Sequence, residues 1–461
     1  MRKFEEITET LIDLIKQGQL TAGDRLPSHR DLAYKYNCSV GTASRAYGEL
    51  ERRGYTYGKV GQGTFIYGTD ADEAAVGKGL FFPRESWVDG ERGVVNLSKN
   101  SYFHKNMDAR MRDAFMRLSM GNDQSQYLEY YDSRGRPHDR GIAANWISEK
   151  IERVDPENII ITQGAQPGLY TAMATLANPG DVVATEAFGY PGIRAAAYEL
   201  DLRLTPIAMD HFGLIPDEFE AICNRGSVKL LVTMPTGHNP TGTTQPLERR
   251  LEILEIARAH NVLIVEDAVY APLQDVFPPA YIDLDPERAL YITSLSKVFS
   301  PGLRVGYMVA PPNLVPRLAT KVTAISWMTS AITLDMSNFF LQGGIVKAQA
   351  EDLVKTCWRR ERRAIDILAP WIARVHQAKR SPLPHLWIEL PADKNMAEFV
   401  TSARRENVVI IGGDSFAMSK AVPVNHIRVC LMSEPDEKRL EKALKRLATL
   451  LAQQNSPVMV I

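Results

Sequence analysis

The sequence predicts two unlike folds in one chain. A small α+β module of three helices and a hairpin comes first, followed by a large α/β domain on a buried, mainly parallel sheet with a smaller α+β lobe at its end. Three observations predict this. Residues 1–68 carry helical periodicity and then two β-prone runs. Residues 69–93 lose all periodicity and are acidic, small and Gly-punctuated, as a linker is. From 94 to 461, short apolar runs alternate with helical patterns, with a large lobe to about 340 and a small lobe from about 341.

The 461 residues exceed one typical domain, and 45% hydrophobic content with 24% charged residues is enough for a large core. A formal net charge of −1 argues against coating nucleic acid by bulk electrostatics, although a local basic face remains compatible with it. Cys38, Cys223, Cys357 and Cys430 have no metal-like spacing and read as reduced thiols. With no signal-like or membrane-spanning apolar run, a cytoplasmic location and no membrane partner are expected.

In the first module, Phe4, Ile7, Leu11 and Leu14 form one stripe of an amphipathic helix. Ser28, with Asp31 three residues on, opens a second helix through Leu32, Ala33 and Tyr36. After the tight turn Asn37-Cys38, Ser39 caps a third helix with Val40, Ala43, Tyr47 and Leu50 on its apolar side. Two short helices joined by a tight turn make a helix-turn-helix. Tyr55–Tyr57 and Thr64–Tyr67 then bracket a Gly-rich turn, which predicts a hairpin wing. The polar side of the third helix offers Gly41, Thr42, Ser44 and Arg45, next to the capping Ser39. Such short groups and one Arg let a helix enter a major groove, with Arg30 and Lys59 flanking as phosphate contacts. Ten Lys/Arg against eight Asp/Glu in residues 1–68 do not decide the matter by charge. The order of elements does more. It resembles the winged helix of the GntR family, carried here by Leu26-Pro27-Ser28, Arg30-Asp31-Leu32-Ala33 and Gly61-Gln62-Gly63-Thr64-Phe65. That resemblance implies operator DNA as a partner.

The second module is organised around Ser294–Arg304, between the apolar runs Leu290–Thr293 and Val305–Ala310. A lysine at the end of a buried strand loses its proton readily and becomes an amine nucleophile. With Ser294 three residues before Lys297 and Arg304 seven after it, the stretch suits a Schiff base to a phosphorylated aldehyde. Other strand-like runs, Ile159–Thr162, Val182–Ala184, Leu230–Val232 and Val262–Val265, end near further polar groups. Gly164-Ala165-Gln166-Pro167 opens a helix whose N–H groups would meet a phosphate. Asn239-Pro240-Thr241-Gly242 presents an amide, and Asp267 and Tyr270 follow another strand end.

Five such elements in this order resemble the fold-type I, class I aminotransferases, which use pyridoxal 5′-phosphate (PLP). With the winged helix in front, the chain is similar to the MocR-type regulators. The resemblance implies a role for each residue. Lys297 would join the cofactor as an imine, and Asp267 would hold the pyridine nitrogen protonated. Asn239 and Tyr270 would donate to the phenolate oxygen. Ser294, Arg304 and the backbone at Ala165 and Gln166 would bind the phosphate. Tyr190 would stack on the ring, with Phe188 as runner-up, and Tyr130 would reach the other subunit's phosphate in a homodimer. Arg428 would pair with a substrate carboxylate.

At the position two after Tyr190, where some γ-aminobutyrate-sensing relatives carry an arginine, this chain has Gly192, and Arg194 would point elsewhere if a helix starts at Pro191. His211, His238 and Lys420 stay unassigned. Two functions fit: a regulator sensing an amino acid or the vitamin cofactor itself, or a working aminotransferase with an accessory DNA-binding module.

Overall fold

The computed structural model describes residues 3–16, 19–20, 24–52, 55–59, 63–66, 93–102, 107–121, 124–152, 154–275, 277–369 and 383–453. The expected linker lies outside them except for Gly93. The chain divides into two compact units, Met1–Phe81 and Phe82–Ile461.

In the first unit, helices α1 (Lys3–Lys16), α2 (His29–Lys35) and α3 (Val40–Arg52) pack around Ile7, Leu11, Ile12, Ile15, Leu32, Ala46 and Leu50. The expected α1 stripe is turned slightly: Ile12 and Ile15 are buried, and Leu14 only partly. Ser28 Oγ accepts from the Asp31 N–H at 3.2 Å, capping α2. The turn to α3 places Asn37 at φ +47°, a left-handed conformation Asn tolerates. Strands β1 (Thr56–Lys59) and β2 (Gly63–Ile66) pair antiparallel, Thr56 opposite Ile66, as the wing. The Leu26 N–H donates to Thr64 O at 2.9 Å, tying the wing to the segment before α2.

The second unit is built on seven strands: β3 (Ile159–Thr162), β4 (Val182–Glu186), β5 (Arg203–Ile207), β6 (Val228–Thr233), β7 (Leu263–Asp267), β8 (Ala289–Ser294) and β9 (Gly306–Val309). Their spatial order is β3-β9-β8-β7-β6-β4-β5. β9 runs antiparallel to both neighbours, and the other pairings are parallel. Side chains alternate between two cores. Ile161, Leu231, Ile264 and Tyr291 face one, while Ile160, Leu230, Val265 and Ile292 face the other. Burial on both faces explains why these strands read as unbroken apolar runs. The edge strand β5 was not expected, because RLTPI is not such a run.

In the small lobe, β10 (His385–Glu389), β11 (Ile411–Gly412) and β12 (His426–Cys430) form a sheet in the order β10-β12-β11. Leu386, Ile388, Ile427 and Val429 face its core. The apolar run Val408–Ile411 is split between two pairings. Val408–Val409 pairs in parallel with Val95–Asn96, and only Ile411–Gly412 joins β12. Val95 and Leu97 therefore pack into the small lobe's core. Among the described residues, no helix is long and apolar enough to cross a membrane.

Candidate functional site

Strand register builds the centre of the site. Ser294 lies opposite Gly306, and Gly306 lies opposite Thr162. Ser294, Arg304 and the helix Ala165–Leu176 are therefore gathered along one row across three strands. Arg304 sits in the left-handed region (φ +52°, ψ +46°), and its Nη2 donates to Gln163 O at 3.0 Å. A Cβ on Gly164 would stand 2.8 Å from Arg304 Nη2, and one on Gly306 2.5 Å from the Gly164 carbonyl carbon. Only glycines keep the head of this helix bare beside a guanidinium, which makes a cradle for an anion.

Lys297, partly buried, donates from Nζ to the Asn100 backbone carbonyl at 3.0 Å. Burial first, then the Arg428 cation, pulls its ammonium down to about 8, while Asp267 acts the other way. Roughly one amine in ten is then neutral at pH 7, far more than for a solvated lysine. Asp267, at the end of β7, is pushed up to about 7 mainly by burial, and Glu186 and Glu266 add to this against Lys297 and the Val269 N–H. A cation placed against Asp267 would restore its charge.

Arg428 is buried, and its position on β12 explains its surroundings. It lies opposite Trp387 on β10, and His385 lies opposite Cys430, so these four share the sheet face turned from the small-lobe core. Its Nη1 donates to Asn239 Oδ1 at 2.9 Å and its Nη2 to Ser98 O at 2.8 Å, and the guanidinium lies 4.5 Å from the Phe416 ring centroid. Its Nε has no hydrogen-bond partner among the described residues, and the charged group is met by the Cys430 thiol rather than by a carboxylate. An orphaned donor on a buried cation is a place for a ligand acceptor.

The two aromatic candidates, Phe188 and Tyr190, have different neighbours. Phe188 packs on Trp387 and His426, with centroids 5.5 and 5.9 Å away. Tyr190 caps the helix Pro191–Glu199, and burial, with Asp267 nearby, pushes its hydroxyl up to about 12. A Cβ on Gly192 would fall 2.0 Å from Gln166 Oε1 and 2.4 Å from Tyr190 Cε1, so any side chain there would require Gln166 and Tyr190 to move. Arg194 points away, with Nη2 donating to Ser415 O at 3.2 Å and Nη1 to Ala417 O. Alongside, the Gly189 N–H donates to Phe416 O and the Met418 N–H to Ala187 O, both at 2.9 Å.

Two residues here were not anticipated. Asn100 touches both Lys297 and Tyr270, and His385 touches Asn100. The alternation His-Leu-Trp-Ile-Glu, matched by His-Ile-Arg-Val-Cys, was the available signal for His385. Asn100 follows no periodic run, and nothing local marked it. Tyr130 is 77% exposed and lies 5.2 Å from the Trp327 ring, and among the described residues no contact joins it to Lys297. His211 lies tilted against the Phe212 ring, Lys420 is exposed, and His238 bonds Thr241 Oγ1 at 2.8 Å and is held down at about 4 by burial.

In the first unit, Ser44 and Arg45 are exposed on α3, as is Arg30 on α2. Ser39 Oγ accepts from the Thr42 N–H at 3.1 Å and contacts Thr42 Oγ1 at 2.9 Å, so both hydroxyls serve the cap. Val40, expected in the core, is 49% exposed, while Ala46 is buried instead. A first-turn side chain leans toward the helix N-terminus, past the core. Of Lys59 only the strand position is described.

Residues 92–447 match the aminotransferase class I and II family. The chain belongs to that family. Residues 3–66 match the gntR family of bacterial regulatory proteins, so a GntR-type helix-turn-helix is fused to a fold-type I aminotransferase-like domain, the MocR-type arrangement. The uncharacterized HTH-type transcriptional regulator YdeF of Bacillus subtilis is 24% identical over 95% of this chain and 92% of its own. The HTH-type transcriptional regulator TauR of Rhodobacter capsulatus is 31% identical over 65% of this chain and 66% of its own. Among solved structures, a kynurenine aminotransferase from Pyrococcus horikoshii, in complex with PMP, superposes with a TM-score of 0.72 at 21% identity, over 88% of this chain and 98% of that one. The aminotransferase family's fold-type I architecture is strongly associated with PLP-binding enzymes. The bare cradle and the lowered lysine fit such a cofactor.

Proposed function

We propose that this protein is a transcription regulator that reads operator DNA with its first unit and holds PLP in its second. It responds to an amino acid or to the cofactor itself. One observation carries the reading: a lysine with a lowered pKa beside a glycine-bared, arginine-lined cradle, in a chain that also carries a GntR-type helix-turn-helix. Bound there, PLP would supply an aldehyde for Lys297 and an electron-accepting ring. Ser294, Arg304 and the Ala165–Gln166 backbone would hold its phosphate, Tyr190 its ring face and Asp267 its pyridine nitrogen. Asn239 already spends its carbonyl oxygen on Arg428, which leaves its amide hydrogens for an oxygen on the ring. Footprinting on the upstream intergenic DNA, with and without PLP and a panel of amino acids, tests the reading. Occupancy indifferent to all of them would count against it. A complete lysine site serves turnover equally well, so the second reading is a working aminotransferase; amino-group transfer to a keto acid with ligand-indifferent DNA binding would favour it.

Arg45→Ala is expected to weaken specific operator binding by about 1–3 kcal/mol per half-site, roughly doubled over two half-sites. The visible spectrum with PLP should stay unchanged. Parent-like operator affinity at physiological salt would mean that another element reads the bases.

Homodimerisation through the second unit accompanies this reading. Phe115, Met116, Met120, Leu128 and Tyr130 are all more than half exposed within one short stretch, an unusual run of large apolar groups for a free surface. Tyr130 would then serve the other subunit's phosphate. Sedimentation at micromolar concentration with PLP bound should give a dimer, and a monomer would refute the assignment of Tyr130.

A further inference from the structure

We propose that Asn100 and His385 are positioning residues that fix the direction of the Tyr270 hydroxyl proton, so that Tyr270 donates to whatever group binds beside Lys297. This rests on the reading of Lys297 as the cofactor anchor.

Three hydrogen bonds carry the argument. His385 Nε2 lies 3.2 Å from Pro240 O, which can only accept, so Nε2 holds the ring proton. The ring is buried beside the cations Arg428 and Lys297, and both burial and these charges keep it neutral. Its Nδ1 is therefore bare and must accept. The partner is Asn100 Nδ2 at 3.0 Å, which settles which way the amide is turned. The same NH2 group also reaches Tyr270 Oη. An amide has two hydrogens, one for each of these acceptors. Tyr270 Oη therefore receives from Asn100, and its own proton is left for an acceptor brought by the ligand.

The price of this arrangement is visible in the same side chain. Turning the NH2 toward Tyr270 and His385 leaves Asn100 Oδ1 buried with no partner among the described residues. The Asn100 backbone carbonyl meanwhile accepts from Lys297 Nζ. One residue therefore touches both the amine and the phenol. The alignment reaches back to the small-lobe sheet, where His385 shares a face with Arg428.

The consequence concerns a proton at Lys297 Nζ. A donor aimed at an anionic oxygen of the bound group stabilises that oxygen without help from the Nζ proton. When the donor is lost or turned round, the oxygen holds the Nζ proton more tightly and the pH at which it leaves rises. The other ionisable neighbours of Lys297, Asp267, Arg304, Arg428 and Cys430, are untouched by the substitutions below.

The test titrates the visible band of the full-length protein loaded with PLP. Tyr270→Phe and Asn100→Ala should each raise the midpoint by about one pH unit or more. The double variant should go no higher than Tyr270→Phe alone, since both act through one hydroxyl. His385→Leu should follow Asn100→Ala, while His385→Asn, whose oxygen takes the place of Nδ1, should keep the parent midpoint. Thermal unfolding separates these shifts from loss of fold. Should Asn100→Ala not fold, the contrast between His385→Leu and His385→Asn decides alone. If Tyr270→Phe raises the midpoint and the Asn100 and His385 variants do not, the proposal is overturned while the lysine site stands. If the parent gives no band with PLP, the reading of the site fails and takes the proposal with it.

Discussion

Lys297→Ala is expected to abolish the visible band formed with PLP, together with all borohydride-trapped label, while the fold stays intact. The expectation follows from how little else Lys297 does. Among the described residues its Nζ makes one hydrogen bond, to the Asn100 carbonyl, and its amine is held at about 8 by burial and Arg428. Removing a group whose charged form the fold disfavours costs little, within about 1 kcal/mol in unfolding. The phosphate cradle at Ser294, Gly164 and Arg304 is independent of it, so weak, non-covalent PLP binding should persist. A borohydride-reducible adduct retained in the variant would show that another amine is the anchor.

Arg428→Ala should remove the response to the cognate amino acid, with a loss in its affinity of about 2–5 kcal/mol, the usual effect of taking one partner from a buried charge pair. The same change leaves Asn239 Oδ1 and Ser98 O without their donor, which costs about 1–3 kcal/mol of stability for each group left unsatisfied. Arg428→Lys keeps a charge but not the planar fork, and it should also lose the ligand-induced spectral shift. Both variants should still take up PLP and bind operator DNA through the first unit. The measurement is a spectral titration with amino acids beside an operator-binding titration. Parent-like changes in operator occupancy with PLP alone would identify a cofactor sensor and remove Arg428 from the signal.

Much of this was legible in the residues because the sheet is buried on both faces. Ile159–Thr162 was expected with the bounds the structure gives it, since an unbroken apolar run leaves little choice. The ends of β7 and β8 then put Asp267 and Lys297 where strand C-termini place ligand groups. What escaped depends on long-range pairing. RLTPI gives no strand signal by itself and forms β5 only because β4 offers it an edge. The split of Val408–Ile411 needs Val95–Asn96, some three hundred positions earlier, as a partner. Asn100 is defined by three contacts, Lys297, Tyr270 and His385, that no local pattern encodes. The exposure of Val40 and the use of Ser39 and Thr42 as a cap are end effects of a helix, which spacing does not resolve.

The loop that carries Tyr190 is stitched to the small lobe at 415–418, through two backbone hydrogen bonds and the two bonds from Arg194. Phe416, in the middle of that stitch, is the ring against which Arg428 lies. The residue proposed to lie on the cofactor's ring and the residue proposed to hold a ligand's carboxylate therefore belong to one mechanical link. If the cofactor and an amino acid bind as proposed, they would share a coupling free energy: whatever factor the amino acid gained from a loaded ring bed, the cofactor would gain from an occupied Arg428. The signal this protein passes on would then be the stiffness of a few main-chain bonds, set jointly by the vitamin and the amino acid.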